Sequence, residues 1–233
     1  MQRAIRIIIL VLVCGGFFAL MIYNITNKPP ISSEVWDEGT TIGNPETAVY
    51  HYVQYSDFAC PYCDVFSRLA VQNEEDFNKF LDDNKILFEV RLTEIIHDSA
   101  NSEMSRDSAI AAYCAKREGK FMDYYHAGVM KLYEDYHSKG IGDSKTAPRI
   151  TNMPDDYWLE IGHKLGLGET FDSCVSNKET LDEVKANTEK ANAKVSGLPY
   201  FQFEDFSTAG FDNNWDYSYV KQYLEAGLQK KSS

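Results

Sequence analysis

The sequence is poor in cysteine, histidine and basic residues, and these shortages exclude several functions. It contains five cysteines and five histidines among 233 residues. Its single C-x-x-C pair, Cys60 and Cys63, supplies two of the four ligands of a structural zinc site, and no second pair follows. The 23 basic residues face 35 acidic ones, and a net charge of −12 argues against nucleic acid as the main partner. We therefore expect no metal site and no bound cofactor.

The N-terminus holds a long apolar run. Residues 7–23 contain no charged side chain, and Arg6 precedes them. About 17 to 20 helical residues match a hydrocarbon core of about 30 Å, so residues 7–23 are predicted to be a transmembrane anchor. A cleaved signal peptide is the alternative, but no A-x-A-like cleavage site follows the run. Residues 1–6 are expected to stay cytoplasmic, which places the remainder outside the cytoplasm, where disulfides persist.

The first half of the predicted soluble part reads as strand, helix and strand. Residues 24–47, with Pro-Pro, Ser-Ser and three further Gly or Pro residues, are predicted to be a linker and lead-in loop. Residues 48–57 are rich in β-branched and aromatic residues and predict a buried strand. Residues 60–84 predict one helix that ends at Asn84, and residues 86–92 predict a strand with alternating faces.

The second half is a block of helices followed by a small β-β-α unit. Residues 99–196 show helical apolar spacing, interrupted by the polar segment 138–153. Residues 197–233 predict two short strands, arranged as a hairpin, and a closing amphipathic helix over 216–228. We expect one α/β sheet whose two parts, residues 48–98 and 197–233, are separated by a helical insertion.

The Cys60–Cys63 pair stands where the first strand ends and the helix begins. The free N–H groups and the dipole at a helix N-terminus stabilise a thiolate, and Pro61 suits the first helical position. Cys63, one turn later, lies on the same side and can close a disulfide with Cys60. We expect an exposed Cys60 to attack and a more buried Cys63 to resolve. Zinc binding and an inert structural disulfide are the alternatives; the strand-to-helix position favours redox exchange.

Four segments together resemble the DsbA-like thiol–disulfide oxidoreductases of the thioredoxin-fold superfamily. They are TIGNPETAVYHYVQYSDFACPYC (41–63), AAYCAKREGKFMDYYHAGV (111–129), LGLGETFDSCV (165–175) and VSGLPYF (195–201). The resemblance implies a thioredoxin fold with an inserted helical domain. The tetrapeptide CPYC also resembles glutaredoxins, but the long helical block and the predicted anchor argue against that family.

The resemblance also implies roles for individual residues. Cys60 and Cys63 would be catalytic, and Pro61 and Tyr62 between them would contact substrate. Pro199 would follow a cis peptide bond, and the Leu198 backbone would pair with a bound substrate strand. The roles of Leu198 and Pro199 do not follow from composition or spacing; only the resemblance implies them.

The chain departs from the family pattern around the cysteines. Strong oxidants of the family carry His where Tyr62 stands, and many members carry a buried Glu where Gln54 stands. Asp57 and Asp64 flank the pair, and no Lys, Arg or His occurs between residues 52 and 67. Negative charge disfavours a thiolate, so we expect a less oxidising protein than the extreme members.

Cys114 and Cys174 lie apart in the helical block and allow two interpretations. They can be two buried free cysteines, which pack as small hydrophobes. They can also form a structural disulfide that ties two helices together, as in some relatives of the family. The predicted compartment favours the disulfide.

These features together predict a membrane-anchored, extracytoplasmic oxidoreductase that introduces disulfides into secreted proteins. Its expected partners are reduced or unfolded secreted chains and, by the resemblance, a quinone-linked membrane protein that re-oxidises it. One alternative is a reductase or isomerase that uses the same residues in reverse; residues 24–47 are too short for an isomerase's dimerisation domain. The other is a thioredoxin-like binding module with non-catalytic cysteines.

Overall fold

The computed structural model describes residues 34–100, 103–150, 153–204, 207–212 and 214–229. The predicted anchor, residues 7–23, lies outside these ranges. Within them, no helix combines the length and the apolar character needed to cross a membrane.

Five strands of the described residues form one mixed sheet in the order β1-β3-β2-β4-β5. They are β1 (Thr41–Ile42), β2 (Tyr50–Ser56), β3 (Ile86–Leu92), β4 (Tyr200–Gln202) and β5 (Ser207–Ala209). β2 and β3 run parallel, and the other three pairings are antiparallel. The hairpin that the sequence predicts is thus confirmed, and the two strands of the predicted strand–helix–strand segment form a parallel pair. β1 adds a short edge strand beside β3. It lies within residues 24–47, for which the sequence predicted a loop and no strand.

Two helices, rather than one, connect β2 to β3. They are α1 (Pro61–Gln72) and α2 (Glu74–Asp83), and the prediction of one continuous helix is wrong at Asn73. Asn73 has φ −123° and ψ 34°, outside the helical region, and its side-chain amide donates to the Leu69 carbonyl. Asn competes for backbone hydrogen bonds in this way, which ends α1 and lets α2 start at a new angle.

β3 is buried along its whole length, which corrects the predicted alternation. Its polar residues are accommodated by partners: Glu89 Oε2 lies 2.9 Å from His51 Nε2 and accepts from Arg91 at 2.8 Å. Burial opposes the charged form, but the hydrogen bonds from His51 and Arg91 hold the pKa of Glu89 below its ordinary value. The Arg91 guanidinium also lies 4.1 Å from the Trp36 ring, which fixes the segment before β1 to the sheet.

The helical block lies between β3 and β4 in the chain. Its helices are α3 (Ile95–Ala100), α4 (Glu103–Arg117), α5 (Phe121–Asp135), α6 (Tyr157–Lys164), α7 (Glu169–Val175) and α8 (Lys178–Asn192). Short 3-10 turns occur at Glu38–Thr40 and His137–Lys139. α9 (Tyr217–Gln229) closes the described chain and packs beside α1.

One aromatic-rich core joins the sheet to the helices. Phe66 of α1 is fully buried, and its ring centroid lies 4.6 Å from that of Phe201 in β4. Phe211 and Phe88 contact the same ring. This packing fixes α1, which carries the C-x-x-C pair, against the middle of the sheet.

Candidate active site

Cys60 is the residue that precedes the first turn of α1, four residues after β2 ends. Its N–H donates to the Asp57 carbonyl at 3.0 Å, and its own carbonyl accepts from the N–H of Cys63 at 3.1 Å and of Asp64 at 3.2 Å. Pro61 occupies the first helical turn, where no N–H is needed. The predicted position at a helix N-terminus is confirmed.

Both thiols are free and buried, and the expectation of an exposed Cys60 is wrong. Cys60 is 4% exposed and Cys63 is 1% exposed. The short side chain of Cys60 sits where the central strand β2 gives way to α1, and the hydrogen bond between the two thiols places them side by side. Cys60 is still the more accessible of the two thiols. Because it is also largely buried, a reaction partner must approach its sulfur closely.

The Cys63 thiol lies in an environment that disfavours its ionisation. Burial is the largest cause, and the hydrogen bond and charge of Cys60 act in the same direction, so the pKa of Cys63 is raised well above its ordinary value. The Asp57 carboxylate adds to this effect, although a backbone hydrogen bond from Asp57 opposes it. Cys63 is therefore a protonated thiol at neutral pH whenever the pair is reduced.

The Leu198–Pro199 peptide bond is cis, as the resemblance implies. Tyr200, the next residue, opposes Tyr55 in the antiparallel pairing of β4 with β2. Leu198 and Pro199 therefore lie at the end of β2 from which the chain continues to Cys60. The Pro199 carbonyl accepts from the Gly210 N–H at 2.8 Å, which ties the loop to the strand β5 region.

Tertiary packing brings basic side chains of the helical block towards the first turns of α1. Lys145 Nζ lies 5.8 Å from the centroid of the Tyr62 ring. His137 Nδ1 lies 2.9 Å from Asp64 Oδ2, and Arg68 Nε lies 3.9 Å from the same oxygen. The ionisable side chains near the first turns of α1 therefore include basic ones as well as Asp57 and Asp64.

Asp57 is a fully buried carboxylate three residues before Cys60. Its Oδ1 accepts from the Ala59 N–H at 2.8 Å, and its Oδ2 accepts from the Ile96 N–H at 2.8 Å and from Ser105 Oγ at 2.7 Å. Burial outweighs these three donors and raises the pKa of Asp57 from 3.8 to about 6. This carboxylate fastens the loop before Cys60 to the helical block.

Gln54, which stands where many family members carry Glu, is buried in a neutral polar cluster. Its Nε2 donates to Ser67 Oγ at 3.2 Å. The Tyr125 hydroxyl lies 2.6 Å from Ser67 Oγ and 3.0 Å from Ser56 Oγ. No sequence pattern identifies Tyr125 as a neighbour of Gln54, because α5 carries Tyr125 and only packing brings α5 against α1.

Cys114 and Cys174 form a disulfide with a Cα–Cα distance of 5.7 Å. It joins α4 to α7 and lies in the helical block, away from the C-x-x-C pair. Of the two interpretations of these cysteines, the disulfide is confirmed. The part of the chain that the structure describes contains no cluster of three or more His, Cys, Asp or Glu side chains able to hold a metal ion.

Comparison with known proteins places this site in a family. The thioredoxin family model matches residues 36–207, which is most of the chain. The chain belongs to the thioredoxin family. No curated protein matches the sequence.

Solved structures share the fold at low sequence identity. The disulfide bond oxidoreductase DsbG of Mycobacterium tuberculosis matches with a TM-score of 0.57 and 17% identity, over 82% of this chain and 87% of that one. The thiol–disulfide exchange protein α-DsbA2 of Wolbachia pipientis matches with a TM-score of 0.54 and 17% identity, over 80% and 85%. A thioredoxin-like oxidoreductase from Silicibacter pomeroyi matches with a TM-score of 0.55 and 19% identity, over 83% and 94%. The resemblance to DsbA-like proteins is thus confirmed for the fold.

Proposed function

We propose that this protein is a thiol–disulfide oxidoreductase that introduces disulfides into secreted proteins through Cys60 and Cys63. The observation that carries the proposal is the pairing of a C-x-x-C at the start of α1 with a cis Leu198–Pro199 bond at the same end of the sheet. The thioredoxin-family match and the DsbA- and DsbG-type neighbours support the same chemistry.

The proposed reaction begins with the oxidised Cys60–Cys63 disulfide. A substrate thiolate attacks Cys60 Sγ, the Sγ–Sγ bond breaks, and Cys63 leaves and takes up a proton. A second substrate thiolate then attacks the substrate sulfur of the mixed disulfide, and Cys60 leaves as a thiolate. The substrate has lost two electrons, and the protein pair has gained them.

The difference between the two cysteines supports this order of events. Cys60 is the less buried thiol, so the mixed disulfide forms there. Burial and the Asp57 carboxylate keep the pKa of Cys63 high, so that released Cys63 is protonated and does not immediately attack the mixed disulfide. The pair therefore allows time for the second substrate thiol to arrive.

The proposal places the catalytic domain outside the cytoplasm, on a single N-terminal anchor at residues 7–23. Reduced or unfolded secreted chains would be its substrates, with Pro61, Tyr62, Leu198 and Pro199 in contact with them. Two electrons accumulate on the pair in each turnover, so a re-oxidising partner is required, and a quinone-linked membrane protein would supply that step.

The reduction potential of the full chain in a neutral detergent, equilibrated against glutathione, tests the direction of electron flow. A value between about −120 and −180 mV is expected for a disulfide donor. A reduction potential of about −270 mV would instead identify a reductant. The Cys60→Ser variant tests whether thiol chemistry is needed. A binding module with non-catalytic cysteines would keep its function after this substitution, whereas an oxidoreductase would lose its activity.

A further inference from the structure

A wide groove opens directly beside the cysteine pair and away from the cis-proline loop. It has a volume of about 640 Å³, and Ala59 and Pro61, the two neighbours of Cys60, form one end of it. Leu198 and Pro199 do not line it. A chain that brings a sulfur atom to Cys60 can therefore extend into this space.

The floor of the groove is apolar and adaptable. Ile96, Met104, Ile150, Met153 and Trp158 line it, and all of them are at least partly buried. Methionine side chains adjust to differently shaped apolar partners. Such a floor accepts one aliphatic or aromatic side chain without demanding a single shape.

Trp158 adds an aromatic surface to this floor. The residue is 5% exposed, and its indole Nε1 is itself buried and has no hydrogen-bond partner among the described residues. The indole ring therefore offers apolar area to a bound segment, rather than a hydrogen-bond donor.

The wall formed by α4 is acidic. Glu103 and Asp107 lie one helical turn apart on α4, and Asp155 faces them from the segment before α6. Burial and the charges of Glu103 and Asp155 raise the pKa of Asp107, and they outweigh Arg106 and His97, which lower it. A cation placed between these carboxylates would relieve their repulsion.

The opposite wall carries two cations. Lys145 and Arg149 belong to the loop between α5 and α6, and Lys145 lies against the Tyr62 ring at the active-site end. The carboxylates are therefore grouped on α4 and before α6, and the cations on the loop. Because the two signs of charge lie in different parts of the groove, a charged peptide would bind in one orientation in preference to the other.

We propose that this groove is a substrate subsite that binds the segment next to the reacting cysteine of a client chain, with an apolar side chain on the floor and a Lys or Arg against Glu103, Asp107 and Asp155. The inference rests on the proposed function, since the client reaches Cys60 only if the pair exchanges disulfides. It adds a preference for clients in which an apolar and a basic residue accompany the cysteine.

Two reduced peptides test the preference with the full chain in neutral detergent. Each carries one cysteine and a neighbouring leucine, and they differ only in an Arg or a Glu. The rate at which each reduces the oxidised protein is measured at about 0.15 M salt, where charges more than about 8 Å apart are largely screened. The Arg peptide is expected to react faster.

Charge-neutral variants locate the source of that preference. In Glu103→Gln combined with Asp107→Asn, the ratio of the two rates is expected to fall by about two- to fivefold, the scale of one or two exposed charge pairs. The control is Glu225→Gln on α9, an exposed carboxylate that does not line the groove, and it should leave the ratio unchanged. Equal rates for the two peptides, or an equal fall in the control, would overturn the subsite.

Crosslinking gives a second, independent readout. In the Cys63→Ser variant, a peptide held on Cys60 by a mixed disulfide and carrying a photoreactive leucine analogue should label Met104, Ile150, Met153 or Trp158. Labels confined to α9 or the Leu198 loop would refute the subsite and leave the proposed function intact. If neither peptide reduces the oxidised protein at all, the proposed function fails, and the subsite fails with it.

Discussion

His137 and Asp64, the residue that follows Cys63, form a close buried pair. Their Nδ1 and Oδ2 atoms lie 2.9 Å apart, and their side chains are 5% and 4% exposed. Asp64 follows Cys63 in α1, whereas His137 comes from the turn after α5. The contact therefore joins α1, which carries the C-x-x-C pair, to the helical block.

Removing one partner of this pair should destabilise the fold more than removing both. His137→Leu leaves Asp64 with only the more distant Arg68 and is expected to lower the free energy of unfolding by about 1–3 kcal/mol. The same change in an Asp64→Asn background should cost clearly less. Denaturant unfolding of the unaltered protein, the two single variants and the double variant measures the coupling free energy. If the two single changes in unfolding free energy simply add in the double variant, the pair does not interact.

Asp57 should make stability depend on pH in an unusual direction. Its folded pKa of about 6 exceeds its ordinary value of 3.8, so its contribution is fully present below about pH 4 and is lost as pH rises through 6. A difference of about 2 units corresponds to about 3 kcal/mol. Asp57→Asn should remove this part of the pH dependence between pH 4 and 7.

The informative quantity for Asp57→Asn is the slope of the free energy of unfolding against pH, rather than the absolute stability. Asn also disturbs the hydrogen bonds to Ala59, Ile96 and Ser105, so Asp57→Asn is expected to be less stable at every pH. Ser105→Ala removes one donor to the carboxylate and should raise the pKa of Asp57 further, so that the loss of stability with rising pH persists and moves to higher pH. Identical slopes for Asp57→Asn and the unaltered protein would contradict the raised pKa.

The two reduced cysteines should react at very different rates with an alkylating agent. Thiolates are the reactive form, and burial together with Cys60 and Asp57 raises the pKa of Cys63 well above its ordinary value. At pH 7, iodoacetamide followed by mass spectrometry should find the label on Cys60, with Cys63 modified only after denaturation. Equal labelling of both in the folded protein would show that Cys63 is not protected.

The Cys114–Cys174 disulfide should contribute substantially to stability. The two cysteines are 60 residues apart in sequence, and closing a loop of that size typically stabilises a fold by about 2 to 4 kcal/mol. Cys114→Ala combined with Cys174→Ala should lower the unfolding free energy by that amount and leave exchange at Cys60 intact. Alkylation under denaturing, non-reducing conditions checks the bond itself, and labelling of both cysteines would refute it.

Local sequence predicted most of the order of the elements in this protein, but not the short strand β1 or the division of one helix into α1 and α2. β-branched and aromatic runs identify β2 and β3, and a Cys-Pro pair after β2 identifies the start of α1, because strand propensity and helix-start preferences act over a few residues. The break at Asn73 escaped this reasoning, since the residues on both sides of it keep helical spacing.

Tertiary structure decided the environment of the cysteines. The sequence shows Asp57 and Asp64 as acidic neighbours of the pair, but not that both are buried, nor that His137 and Lys145 approach from the helical block. The groove beside Pro61 depends likewise on how α4, α6 and the loop between α5 and α6 come together. Charge and burial act through space, so residues far apart in the chain set the chemistry of a motif that the sequence alone identifies.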